Sequence, residues 1–181
     1  MSRLDAAVQG RLLRIVERRL SVVVGDANGA DKAVQRFLSD QHFDRVEVFA
    51  ADASPRNNLG GWPIRVVSPP HARRDFSYYA AKDRAMAAEA TVGLMLWDGE
   101  SRGTLLNVLR LVAGGKTVVV YISPKRLFID VRSERDLGPL VAGLDGGTRD
   151  RLRRDLADEG LPHSMADQLA LGFKERSAAA R

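Results

Sequence analysis

Apolar positions along the chain change period several times. Leu4, Val8, Leu12 and Ile15 recur at helical spacing, which predicts an amphipathic helix over residues 2–19. The period then collapses into a short β-branched run, Ser21-Val22-Val23-Val24, ended by Gly25, as in a buried strand. Ala30, Ala33, Val34, Phe37 and Leu38 return to helical offsets. Residues 45–49 (RVEVF) and 63–67 (PIRVV) predict a second and a third strand, separated by the turn-rich stretch ADASPRNNLGGW. A long helix is expected over residues 75–90, through Phe76, Tyr79, Ala80, Met86 and Ala87. Residues 91–97 (TVGLMLW) form a fourth strand, stopped by Asp98-Gly99. Leu105, Val108, Leu109 and Val112 predict the next helix, closed by Gly114-Gly115. Residues 116–122 read as a fifth strand, ended by Pro124.

Strands and helices alternate from residue 20 to residue 124, the pattern of a mainly parallel five-stranded sheet covered by helices on both faces. The expected fold class is therefore α/β, a three-layer sandwich with strand order third, second, first, fourth, fifth. Residues 1–19 form a helix packed on this domain, and residues 125–181 a small, mostly helical appendage. Within the appendage, Leu127-Phe128-Ile129 predicts a short strand, and Leu137, Leu140, Val141 and Leu144 a helix preceded by a Ser133/Asp136 capping box. Thr148 is expected to cap an arginine-rich helix ending near Gly160-Leu161-Pro162. The final SAAAR reads as frayed.

Composition narrows the chemistry. The 181 residues include no cysteine, which removes disulfides, thiolate ligands and thiol catalysis. His42, His71 and His163 have no ligand spacing, so no metal site is expected, and no motif calls for a cofactor. No apolar run approaches the roughly 20 residues needed to cross a bilayer. The first residues mix apolar and charged positions unlike a signal peptide, so a soluble cytoplasmic protein is expected. The formal net charge is +5, which suits phosphate-bearing ligands in general. Its arginines cluster near both ends (Arg11, Arg14, Arg18, Arg19; Arg149, Arg151, Arg153, Arg154), without the interleaved aromatics of a single-strand platform. They read as solvated helix faces.

Ligands of open parallel sheets bind beyond the carboxyl ends of the strands, where strand order reverses. In the expected order, that reversal brings together the loops after the first and fourth strands, GDANGAD and DGESRGT. Gly25, Gly29, Gly99 and Gly103 allow close approach of backbone N–H groups to an anion. Each loop opens a helix, whose first-turn N–H groups lack internal partners. Ser101 and Thr104 add hydroxyl donors and Arg102 a cation. Asp26, Asn28, Asp31 and Asp98 can accept from ribose hydroxyls or a base. Neither loop has the spacing of a P-loop or of the GxGxxG fingerprint. Tyr78, Tyr79 and Trp97 lie near the same edge, as core residues or as a platform for a base.

VVVGDANGAD, then KDRAM in the 75–90 helix, then LMLWDGESRGTLLNV and GKTVVVY, taken in that order, resemble the SLOG superfamily. This is the Rossmann-like group that contains the lonely-guy (LOG) cytokinin-activating proteins and the DNA-processing protein A domain. The similarity covers residues 20–122 and is closest to the branch with GGARGAD-like and FWDGxSRGT-like motifs. It implies a pocket for a nucleotide or nucleotide-derived ligand, in a homodimer. Gly25, Asn28, Gly29 and Asp31 match the first loop; Gly99, Ser101, Arg102, Gly103 and Thr104 match the phosphate loop; Met86 matches the helix motif.

Two positions depart from LOG-type phosphoribohydrolases. The arginine four residues before the methionine is Lys82, and the glutamate three residues after the Gly-Thr threonine is Asn107. Lysine lacks the bidentate fork, and asparagine cannot act as acid or base. The first expectation is therefore binding or sensing of a phosphate-bearing nucleotide derivative between the two loops. A nucleoside-monophosphate N-glycosidase using Lys82 and Glu100, or Asp98 in place of Glu100, is the alternative. Nucleic-acid binding ranks third, because the arginines lie outside the predicted crevice.

Overall fold

In the computed structural model the described residues are 4–68 and 76–168. Expectations for His71, the Tyr79 side chain and the terminal SAAAR lie outside them. The chain divides into two units, residues 1–90 and 91–181.

The first unit opens with α1 (Ala6–Glu17), capped by Asp5, whose carboxylate accepts from the Ala7 N–H at 2.9 Å. Strand β1 (Val22–Gly25) pairs in parallel with β2 (Val46–Ala50), and β2 with β3 (Ile64–Val66). Helix α2 (Ala30–Asp40) joins β1 to β2, and α3 (Phe76–Glu89) follows β3. The register aligns Gly25 with Phe49, so β1 and β2 end level and their following loops emerge at one sheet edge. Val24, Leu38, Phe43, Val46, Val48 and Trp62 form a core cluster beneath that sheet. The Trp62 indole N–H donates to the Phe43 carbonyl at 2.8 Å. A Cβ at Gly60 would collide with the Trp62 ring, so the turn before β3 depends on glycine there. Helices α1 and α2 both end on a non-glycine residue with left-handed backbone: Arg19 (φ 51°) and His42 (φ 51°). Six-residue closing bonds, Leu20 N–H to Ile15 O and Phe43 N–H to Leu38 O, hold these ends.

In the second unit β4 (Val92–Trp97) pairs in parallel with β5 (Thr117–Ile122), and α4 (Arg102–Ala113) connects them. Strand β6 (Leu127–Val131) returns antiparallel to β5, with Ile122 opposite Leu127. A 3-10 turn at Ser123–Lys125, followed by Arg126 at φ 50°, reverses the chain. Short helix α5 (Gly138–Val141) and α6 (Gly146–Asp158) follow. Helix α4 contacts β4 and β5 as well as α6. That explains why Leu105, Leu106, Val108, Leu109, Leu111 and Val112 are all buried, well beyond one stripe.

The fold is α/β, but the single five-stranded sheet is not formed. The strands make two three-stranded sheets, ordered β1-β2-β3 and β4-β5-β6. Each pairs strands that follow one another in sequence, the connection that costs least in loop closure. The expected reversal between the first and fourth strands belonged to the single sheet and goes with it. The segment after residue 125 supplies a full strand to the second sheet. Other differences are local. Strand β3 has three residues, all exposed. The Ser133/Asp136 capping box is present, on a 3-10 turn at Glu134–Leu137. Asp145 caps α6, its carboxylate accepting from the Thr148 N–H at 2.9 Å, so Thr148 is the capped residue. Arg149 is buried and donates to the Val141 carbonyl, while Arg151, Arg153 and Arg154 are exposed as expected. No helix among the described residues is long and apolar enough to cross a membrane.

Candidate functional site

At the carboxyl edge of β1 and β2, the GDANGAD loop is held by a buried ionic network. Asp26 is 4% exposed. Its carboxylate accepts from the Arg56 guanidinium at 2.9 and 3.2 Å and from the Arg56 backbone N–H at 3.1 Å. Lys82, on α3, is 3% exposed; its ammonium lies 3.0 Å from Asp83 and 3.8 Å from Asp26. A Cβ at Gly25 would strike the Asp31 carboxylate and come within 2.9 Å of the Lys82 nitrogen. Glycine at 25 thus makes room for this ion cluster, and the cluster fills the space above the strand end. Gly29 adopts φ 91°, ψ −118°, a conformation open to glycine alone, at the start of α2.

The carboxylates respond differently to this environment. Burial alone would raise Asp26, but the hydrogen bonds and charge of Arg56, with Lys82 behind, hold it below the usual carboxylate range. Burial pushes the Asp31 carboxyl up, against the pull of Lys82 and of the Ala27 N–H, which donates to it at 3.1 Å. Asp31 therefore serves the loop, not the first turn of its own helix. Asn28 is exposed, and its side-chain oxygen accepts from Asn57 at 3.1 Å. Asn57 also donates to the Asp26 carbonyl at 2.8 Å. Gln35, fully buried, donates to the Gly25 and Asn57 carbonyls and accepts from the Leu59 N–H. Tyr78 is buried, and its hydroxyl donates to Asp52 at 2.7 Å, so it is a structural residue. Arg56, Asn57 and Gln35 were not singled out from sequence. The only signal was a long polar loop leaving the carboxyl end of a strand.

In the second unit, the DGESRGT loop leaves the carboxyl end of β4. Trp97 is buried, and its indole N–H donates to the Ser101 carbonyl at 3.1 Å, which settles it as a structural residue. The Asp98 carboxylate accepts from the backbone N–H groups of Glu100 (3.0 Å) and Ser101 (2.7 Å). Burial would raise its pKa, but these backbone donors hold it below the usual range. Gly99 turns at φ 92°. Ser101 caps α4: its hydroxyl oxygen accepts from the Thr104 N–H at 3.5 Å and from the Thr104 hydroxyl at 3.1 Å. Gly103, at the second helical position, has no atom within 4 Å of where a Cβ would stand. The first turn of α4 thus borders open space.

Helix α6 reaches the far side of this turn. Arg102 pairs with Asp155 at 3.3 Å. Two turns further along α4 and one further along α6, Arg110 forms a two-pronged ion pair with Glu159, its Nε–H donating at 2.6 Å. Arg110 also donates to the Asn107 side-chain oxygen. Asn107 is half-buried and committed to this α4–α6 clasp, not an ordinary surface position. Of the two candidate catalytic residues, Lys82 is enclosed among carboxylates in the first unit and Glu100 is exposed on the loop of the second. No group of His, Asp and Glu suited to a metal ion occurs among the described residues. Compared with protein-family models, curated proteins and solved structures, the chain matches none of them.

Proposed function

We propose that this protein binds a phosphate-bearing nucleotide derivative, with the 98–104 loop and the first turn of α4 taking the phosphate. One observation carries the reading: the Gly103 position opens on unfilled space at the start of a 12-residue helix. First-turn N–H groups have no partner within the helix, and the helix dipole favours an anion there. The Ser101 hydroxyl, which accepts from Thr104, keeps its own proton to donate. Gly99, held at φ 92°, sets the turn that presents these donors. In the first unit, Asp26, Asp31 and Asp83 outnumber Lys82 and Arg56, so the GDANGAD loop is the poorer place for a phosphate. The ordered motifs shared with SLOG proteins point the same way.

Hydrolysis of the N-glycosidic bond has less support. Lys82 is spent on three carboxylates, and Asn107 on Arg110. Calorimetric titration with the 5′-mono-, di- and triphosphates of the common nucleosides tests the proposal, with unphosphorylated nucleosides as controls. Saturable binding by a phosphorylated member, absent for its nucleoside, is expected. No binding across the panel, or equal binding by the nucleosides, would reject it.

A further inference from the structure

A cleft of about 330 Å³ opens at the amino-terminal edge of the first sheet, opposite the edge that carries the GDANGAD loop. It lies between the end of α2 and the turn before β3, lined by Ser39, His42, Phe43, Asp44, Gly60 and Trp62. That volume is at the small end of ligand sites, which run from roughly 300 Å³ upward. Phe43 and Trp62 supply aromatic surface, which holds an apolar body and attracts a cation. Donors around these rings are already committed. The Trp62 indole N–H donates to the Phe43 carbonyl at 2.8 Å and the Ser39 hydroxyl to the Leu59 carbonyl at 3.2 Å. The His42 and Phe43 backbone N–H groups donate to carbonyls of α2 at 2.9 and 3.0 Å. Acceptors remain. The Asp44 carboxylate meets one Arg19 nitrogen, at 3.2 and 3.5 Å, and the Ser39 oxygen keeps its lone pairs.

Charge points the same way. Of the lining residues only Asp44 carries a fixed charge, and it is negative. Helix α2 ends at the cleft with Asp40 last and no basic residue in its final turn, so the carboxyl end of its dipole adds to the negative potential. His42, just past that end, holds φ 51° where a glycine is usual. Backbone strain of this kind collects at binding positions. We propose that this cleft binds a small organic cation, a primary ammonium on an apolar body, with the ammonium at Asp44 and the body against Phe43 and Trp62. The site is separate from the phosphate loop and stands or falls without it.

The test titrates isotopically labelled protein at neutral pH with benzylammonium, and with neutral benzyl alcohol and anionic benzoate as isosteric controls. The Trp62 indole N–H and the Phe43 and Gly60 backbone N–H signals should shift saturably with benzylammonium, more weakly with the alcohol and not with benzoate. Asp44→Asn should lower benzylammonium affinity about fivefold and leave the alcohol unaffected, because only the cation loses a Coulomb partner about 4 Å away. Arg19→Gln removes the competing cation and should raise benzylammonium affinity about threefold. Asp44 and Arg19 are 72% and 63% exposed, so both variants keep the fold. Opposite changes in the two variants are not expected of a residue pair that only supports the structure. Benzyl alcohol or benzoate binding as tightly as benzylammonium overturns the proposal. So does a Trp62 signal unmoved by all three, or unchanged benzylammonium affinity in Asp44→Asn.

Discussion

A carboxylate placed at Gly103 should act in opposite directions on folding and on ligand binding. Gly103 is the second residue of α4, and a Cβ there meets nothing within 4 Å, so Gly103→Asp introduces no clash. Replacing glycine within a helix by aspartate gains about 0.3 kcal/mol of helix propensity. A negative charge in the first turn adds about 0.3–1 kcal/mol. The folded state should therefore gain about 0.6–1.3 kcal/mol, read as a higher denaturation midpoint at unchanged slope. The same charge would sit about 5 Å from a phosphate on that turn. At water-like screening it costs about 0.8 kcal/mol per ligand charge, or about fourfold in affinity for a singly charged group and about fifteenfold for a doubly charged one. Gly103→Asn fills the same space without charge and should retain most of the affinity. Paired urea unfolding and calorimetric titration separate these effects. Unchanged affinity in a stabilised Gly103→Asp protein would refute the placement of the phosphate.

Further predictions concern the frame around the two loops. Asp26 has a depressed native pKa, so its contribution to stability is present above the ordinary value of 3.8 and lost as pH falls through the native value. Asp26→Asn should flatten that part of the acid-unfolding curve, and an unaltered curve would show that the Arg56 pair contributes nothing. His42→Gly relieves a left-handed non-glycine residue at the end of α2 and should stabilise by about 0.5–1 kcal/mol, net of the chain entropy of glycine. A loss of stability on thermal melting would contradict that reading. Arg110→Ala leaves Glu159, 11% exposed, without its two-pronged partner and should cost about 3 kcal/mol in chemical denaturation. A cost below about 1 kcal/mol would mean that α6 does not depend on this clasp.

The sequence revealed elements better than their assembly. The Val22–Val24 and 116–122 runs are β-branched and bounded by Gly25 and Pro124, so β1 and β5 were legible. Strand β6 carries a weak sequence signal, because its hairpin lacks a turn glycine and Arg126 takes the left-handed position instead. The division into two sheets was not legible, since hydrophobic period reports which segments are strands and not which edges meet. At the site, Gly99, Ser101 and Gly103 could be placed from their order alone, because a turn and a helix cap are local. The partners of Lys82, Arg102 and Arg110 could not. Asp26 lies 56 residues before Lys82, and Glu159 lies 49 residues after Arg110. Such pairings are fixed by packing, which no local spacing records. The glycines of GDANGAD suggest room for an anion, whereas Gly25 makes room for Asp31 and Lys82.

Backbone amide resonances of the 98–104 loop report the proposed contact most directly. Titrating isotopically labelled protein with the tightest phosphorylated nucleotide should shift the N–H signals of Gly99, Arg102, Gly103 and Thr104 in a saturable manner, with the matching nucleoside leaving them unmoved. Saturable binding that leaves those four signals in place would contradict the account.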